Sequence, residues 1–307
     1  MNAMQNTEAV AVSRHNSAQP VSLLRRVLSN RSLVVGGVIL LAIIVFFLAC
    51  QLFGNLDPDT TAARQRLQPP SADHLFGTDN YGRDVLSRVV VGGWTSLILG
   101  ITVAAIVAVL GTLIGLISSY FPWLDQVLMR ISDGMMSIPA ILFAVALTAV
   151  LGPAMQNLII ALAVVYTPVV ARVVRSRALS VKSETFVSAA LAEGGGAGYI
   201  IRRHLLPNTF SVLFVQVAFV FADAIIVEAA LSFLGAGVPP PAPSWGNILY
   251  DGKGVIVQAP YMVLFTSLLL VTTVLALNLI GDGMRDLVDS RANSAPSRRA
   301  GRKKRGA

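Results

Sequence analysis

Long stretches without a charge constrain this chain more than any motif does. Residues 32–56, 89–124 and 134–171 contain no Asp, Glu, Lys or Arg at all. About 20 apolar residues, rising 1.5 Å each, carry a helix across the hydrocarbon core of a bilayer. Each of these stretches exceeds that length, and two more candidates, 209–234 and 260–280, follow. Composition agrees: of 307 residues 54% are hydrophobic and 13% charged, roughly half the charged share of a soluble domain. That composition excludes a disordered chain and speaks against a soluble enzyme of this length. As one helix, 134–171 would reach about 57 Å, far too long for one crossing. Gly152-Pro153 near its middle breaks it, since proline lacks the N–H and clashes with the preceding turn. The reading is an all-α integral membrane protein with six spans: 32–53, 94–120, 136–151, 155–175, 209–234 and 260–280.

Orientation follows from where the cations fall. With both termini cytoplasmic, all but five of the 24 Lys and Arg lie inside, the exceptions being Arg64, Arg66, Arg83, Arg88 and Lys253. The formal charge of +8 is then mostly a topology signal and not the mark of a nucleic-acid binder. The expected organisation is a cytoplasmic tail (1–31), a first span (32–53), an extracytoplasmic segment (54–93), a five-helix permease-like unit (94–282) and a basic cytoplasmic tail (283–307). The first span is too long for the apolar core of a cleaved leader. Residues 21–28 read as a short interfacial amphipathic helix or a plain lead into that span. The terminal RRAGRKKRGA reads as an inside-facing signal that meets anionic lipid.

Chemistry is scarce. There is no G-x-x-x-x-G-K-[ST] phosphate loop, no G-x-S-x-G, and no metal-ligand spacing among His15, His74 and His204. Cys50 is the sole cysteine, so no Cys cluster can form. No catalytic residue, metal site or cofactor bound by this chain is expected. Gly111 and Gly115 form a G-x-x-x-G pair suited to close helix packing.

The most informative stretch is KSETFVSAALAEGGGAGYIIRRHLLPN, between the fourth and fifth spans. Phe186, Ala189, Ala190 and Glu193 recur at helical spacing. The small Ala189 and Ala190 would let a partner approach closely, and Gly194 is placed to end the helix in a left-handed conformation. A second amphipathic turn, 199–206, leads to Pro207-Asn208. From composition alone this is either a docking element or an ordinary solvated loop.

Here the sequence resembles a known family. Ala189, Ala190, Gly194, Ile200, Arg203, His204, Leu206, Pro207 and Asn208 are arranged as in the coupling loop of binding-protein-dependent ABC importer permeases. Three further stretches narrow the likeness to the dipeptide/oligopeptide (and nickel) class, C-type subunit: LFGTDNYGRDVLSRVVVG, EAALSFLGAGVPPPAPSWGN and NLIGDGMRDLVDSR. The resemblance implies a type I importer permease fold in the bacterial inner membrane. It also implies a second homologous permease, two ATPase subunits that hold ATP and Mg, and an external substrate-binding protein. Two departures stand out: Ser188 replaces the acid that often opens the loop helix, and Gly194-Gly195-Gly196 replaces a single glycine. Nickel, glutathione or an opine-like solute is the alternative cargo. An ion-coupled secondary transporter is the alternative of another class.

Asp223 and Glu228 sit inside the fifth span, where each costs at least about 2.5 kcal/mol if placed in lipid at mid-membrane. They either line a passage or bond neighbouring helices. The run Pro239-Pro240-Pro241-Ala242-Pro243 cannot continue a helix. With Trp245 it either offers an external contact to the substrate-delivering protein, caps the pore, or packs between spans.

Overall fold

The computed structural model describes residues 28–54 and 56–293, with side chains to 288. The proposed helix at 21–28 lies, but for its last residue, outside the described residues, as does the end of the basic tail. Helix dominates what is described: α1 (Arg31–Phe53), α2 (Val85–Tyr120), α3 (Pro122–Met136), α4 (Ala140–Leu151), α5 (Met155–Lys182), α6 (Thr185–Ala192), α7 (Ala197–Phe233), α8 (Trp245–Lys253) and α9 (Pro260–Asn293). Five of these are long and apolar enough to cross a membrane, and six crossings result if the α3–α4 pair counts as one.

That pair differs from the uninterrupted third span expected at 136–151. The chain bends by 94° between α3 and α4, at the Ser137-Ile138-Pro139 corner. Twelve residues of α4 reach only about 18 Å, short of the roughly 30 Å core. The preceding α3 is amphipathic: Trp123, Val127 and Ile131 form an exposed apolar stripe. On its other side Asp125 pairs with Arg175 and Asp133 with Arg172 of α5. The hairpin after α4 turns at Gly152, whose φ is +90°.

The remaining spans outrun their apolar limits. The second begins at Val85 and not near residue 94, because Asp84 caps it: its carboxylate accepts from the Ser87 amide at 2.7 Å and the Ser87 hydroxyl at 2.8 Å. The fourth runs to Lys182, the fifth starts at Ala197, and the sixth continues to Asn293. Charges near a helix end can reach the interface while the backbone stays helical, so apolar limits understate helix length.

Two cores hold the bundle. One lies among α2, α5 and α7, with Leu99, Val103, Val107, Leu162, Val170 and Val220 buried. Here Gly111 and Gly115 bring α2 against α5: a Cβ at either would stand 2.7 Å from the Val170 side chain or 2.6 Å from the Ala171 carbonyl. Association in lipid rests on such close packing, since tails are as apolar as leucine. The second core joins α1, α2, α7, α8 and α9 through Phe47, Val89, Ile225, Trp245 and Met262. Asn30 caps α1 and donates its amide to the Gly283 carbonyl at 3.1 Å, which ties α1 to α9.

Candidate functional site

The site begins where α5 ends. Lys182 Nζ donates to the Ser119 and Tyr120 carbonyls at 3.1 and 3.2 Å and lies 4.8 Å over the Tyr120 ring. It thereby satisfies the open carbonyls of α2 and fastens the two helices together. Three residues later α6 starts, one face on the bundle and the other exposed.

The end of α6 is a Schellman motif. The Gly195 amide donates to the Ala190 carbonyl at 2.9 Å and the Gly194 amide to the Leu191 carbonyl at 3.0 Å, the pattern that closes a helix through a left-handed residue. Gly194 has that conformation, with φ at +85°. Gly195 is needed for another reason: a Cβ there would meet the Ala190 carbonyl at 2.6 Å. Gly196 and Gly198 meet neither constraint. The glycine run is thus two glycines that form the stop and two that do not.

The faces of α6 divide sharply. Val187 is fully buried and Ala190 packs on the first core alongside Ile200, Ile201, Leu205 and Leu206. Phe186, Ala189 and Glu193 are exposed. The two alanines expected to act together are therefore separated: Ala189 faces outward and Ala190 is largely turned to the core. Beyond the stop, Tyr199, Arg202 and Arg203 are exposed, and Pro207 and Asn208 also lie at the surface.

His204 lies between aromatic neighbours, its ring 5.8 Å from Phe186 and 5.4 Å from Tyr199. Its Nε2 is buried with no hydrogen-bond partner among the described residues. Its carbonyl accepts from the Asn208 side-chain amide at 2.7 Å. Ile201–Leu205 forms a π turn, closed by the Leu206 amide on the Ile201 carbonyl. Pro207 explains it: without an N–H it cannot bond the Arg203 carbonyl, and its ring crowds that group. The sequence shows Pro207 plainly but not the widened turn, nor the outward Phe186 and Tyr199.

At the opposite end, Glu228 is fully buried. Ser96 Oγ donates to it at 3.0 Å and Ser232 Oγ at 2.8 Å. Each serine also accepts a backbone amide from the segment after α7: Trp245 to Ser96 at 3.4 Å and Val238 to Ser232 at 3.1 Å. Glu228 thus anchors that segment to α2 and α7. Its spacing from Ser232, four residues on, was the available clue; Ser96 gave none. Of the roles left open for Trp245, the side chain packs between spans and does not offer an external contact. Its side chain is 0% exposed, its indole N–H donates to the Val89 carbonyl at 3.1 Å, and its ring meets Phe47 edge-on at 6.3 Å.

Next to this joint lies a charge cluster that sequence reasoning missed. Asp79 takes Arg83 at 2.6 Å and Arg88 at 3.7 Å, and Asp251 of α8 takes the same two arginines at 3.1 and 3.9 Å. Burial pushes the Asp251 carboxyl above its ordinary 3.8, with Arg83 and Arg88 pulling it back. Asp223 is apart from all of this, on an exposed face of α7. Among the described residues no group of three His, Cys, Asp or Glu is placed to hold a metal ion.

Residues 108–294 match the family described as binding-protein-dependent transport system inner membrane component. A putative peptide transport system permease protein of Brucella abortus is 44% identical over 267 residues, covering 87% of this chain and 90% of that one. A dipeptide transport system permease protein of Alkalihalophilus pseudofirmus is 41% identical, covering 86% and 88%. A probable peptide ABC transporter permease protein of Sinorhizobium fredii is 46% identical, covering 84% and 89%. The inward-facing MetNI methionine ABC transporter contains a chain that superposes with a TM-score of 0.53 at 20% identity. That match covers 67% of this chain and 96% of the other.

Proposed function

The chain belongs to the binding-protein-dependent transport system inner membrane components, and from that premise we propose that it is one permease subunit of an ATP-driven importer of di- or oligopeptides. The observation that carries the cargo is the likeness, along nearly its whole length, to proteins named as peptide and dipeptide permeases. A second, homologous permease would complete the passage, an external binding protein would deliver peptide, and two ATPase subunits would supply ATP hydrolysis. Both termini and α6 would then lie in the cytoplasm, as the distribution of Lys and Arg supports.

In this reading α6 and the turn after it form the coupling loop. Its mechanics follow from the geometry. Phe186, Ala189 and Tyr199 meet the ATPase, with Arg202 and Arg203 beside them for its acidic groups. Ala190, Val187, Ile200 and Leu205 carry any displacement into the core shared by α2, α5 and α7. The Schellman stop and the Lys182 tie make the loop stiff enough to push. This chain hydrolyses nothing itself.

The test is uptake of a labelled dipeptide by proteoliposomes that hold this chain with the permease, ATPases and binding protein encoded beside it. Uptake that requires both ATP and the binding protein is expected. Competition by nickel, glutathione or an opine in place of peptide would change the cargo. Uptake that persists without ATP and collapses with the proton gradient would replace the mechanism.

A further inference from the structure

Asp223 and Glu228 share α7 but not a face. Five residues at 3.6 per turn set them about 140° apart. Glu228 therefore points into the bundle, where Ser96 and Ser232 enclose it, and Asp223 points away from it. Asp223 lies about 15 Å along the axis from Phe233 at the helix end, at 1.5 Å per residue, which is half the thickness of the hydrocarbon core. Among the described residues its carboxylate makes no hydrogen bond or ion pair, and the Tyr166 hydroxyl of α5 lies within its electrostatic reach.

Lipid cannot be what covers it, because an ionised carboxylate at that depth is strongly disfavoured. The same face is polar again two turns away. Gln216, seven residues before Asp223 and so nearly in line with it, borders a recess of about 270 Å³ with Phe219 and Arg285. The recess is otherwise lined by Val212, Val215 and Val288, so Gln216 and Asp223 are two isolated polar groups on an apolar face, and each needs water or a polar partner outside this chain. We propose that Asp223 lines the translocation passage and holds the α-ammonium group of the peptide halfway across. This rests on the peptide-importer reading. A free peptide carries an ammonium that needs a counter-charge in a narrow, low-dielectric passage, and one carboxylate holds it weakly enough to let it leave.

Cys50 is the sole cysteine of this chain, so a thiol placed at 223 can be read on this chain once Cys50 is replaced, with the identically treated C50S complex as the reference for thiols on the other subunits. In the complete complex, carrying C50S, the parent is compared with D223N, D223E and D223C under saturating peptide-loaded binding protein. Expected are a fall in uptake of about tenfold for D223N and D223C, near-parental uptake for D223E, and ATPase stimulation retained in all. A water-borne methanethiosulfonate bearing a sulfonate should label D223C, more slowly when peptide is present, and raise its uptake. The trimethylammonium analogue should label without restoring it. Parental uptake by D223N overturns the proposal. So does a D223C that stays unlabelled while D223N sheds the second permease, which makes Asp223 a subunit contact. Failure of the unsubstituted complex, with Cys50 in place, to import peptide would instead remove the transport reading on which the proposal rests, and the proposal with it.

Discussion

The two ends of the bundle treat polar groups in opposite ways. At the α8 end, charge meets charge inside the fold: Asp79 and Asp251 share Arg83 and Arg88, and Glu228 closes on Ser96 and Ser232. At the α6 end, Phe186, Tyr199, Arg202 and Arg203 are turned outward and His204 Nε2 has no partner among the described residues. The first end pairs its charges within one chain and so behaves as a joint, with only Asn80 Oδ1 and Trp94 Nε1 buried there without a partner among the described residues. The second leaves its polar and aromatic groups for something else to complete. The motifs of the chain divide along the same line, since a run that resembles a family motif can serve internal assembly as well as contact.

The sharpest way to break this contrast is at Asp79. Removing one partner of a buried charge network costs on the order of 3–5 kcal/mol, because the remaining charges stay buried without compensation. Asp79→Ala should therefore lower the melting point of the purified complex more than a substitution at Asp251, Glu228 or Ser96. Asp251→Asn should cost much less, and its effect should depend on pH. The folded chain holds the Asp251 proton more tightly than the unfolded one, since its carboxyl is raised above 3.8. Its contribution is thus most favourable below 3.8 and declines as pH rises through the raised value. Melting points of parent and Asp251→Asn, followed from about pH 4 upward, should converge or cross. A constant gap would show that Asp251 does not titrate in the joint.

Glu228→Ala is the next largest. It strands two hydroxyls and opens a small cavity, together costing on the order of 2–3 kcal/mol. Ser96→Ala should cost only about 1 kcal/mol. Protease cutting within the segment 236–244 should rise in Glu228→Ala and little in Ser96→Ala. Equal cutting in both would mean the segment is held by Trp245 and not by the carboxylate.

At the α6 end the matching experiment separates two adjacent alanines. Ala189→Trp adds bulk to a solvent-facing position and should change stability by no more than about 0.5 kcal/mol. It should nonetheless abolish recovery of the ATPase with the membrane subunits. Ala190→Trp overfills the core side of α6, at a cost of about 1–3 kcal/mol, and should depress melting first. If Ala189→Trp leaves ATPase recovery and uptake untouched, α6 is not the docking face.

How much of this was legible depends on the physical range of each interaction. Crossing helices follow from local apolar runs, so five of them and their rough placement could be read off. The left-handed stop at Gly194 needs only neighbouring residues and was equally visible. The bend at Pro139 was hidden because the uncharged run from 134 passes straight through it, so the sequence alone suggests one helix over 136–151 with α3 left outside it. What sequence could not give is long-range pairing. Ser96 with Glu228, and Arg83 with Asp251, are 132 and 168 residues apart, and no local pattern links them. Trp245 stayed open for a related reason: the proline-rich run before it does not fix its surroundings, and Val89 and Phe47 arrive from distant helices to bury it.

The smallest expected effect bears on the glycine run. As a sequence, Gly194-Gly195-Gly196 suggests a slack link that would weaken transmission through the loop. Gly196 has φ −73° and ψ 165°, which any L-residue adopts, and a Cβ there meets nothing within 4 Å. Gly196→Ala should therefore stabilise by about 0.4–1 kcal/mol, by removing freedom from the unfolded chain. Uptake per ATP hydrolysed should be unchanged or slightly higher. Gly194→Ala, forced to keep a positive φ, should lose stability and lower that ratio. A Gly196→Ala variant that transports poorly while melting normally would mean the loop needs its slack. The α6 end would then transmit motion by bending and not as a rigid lever.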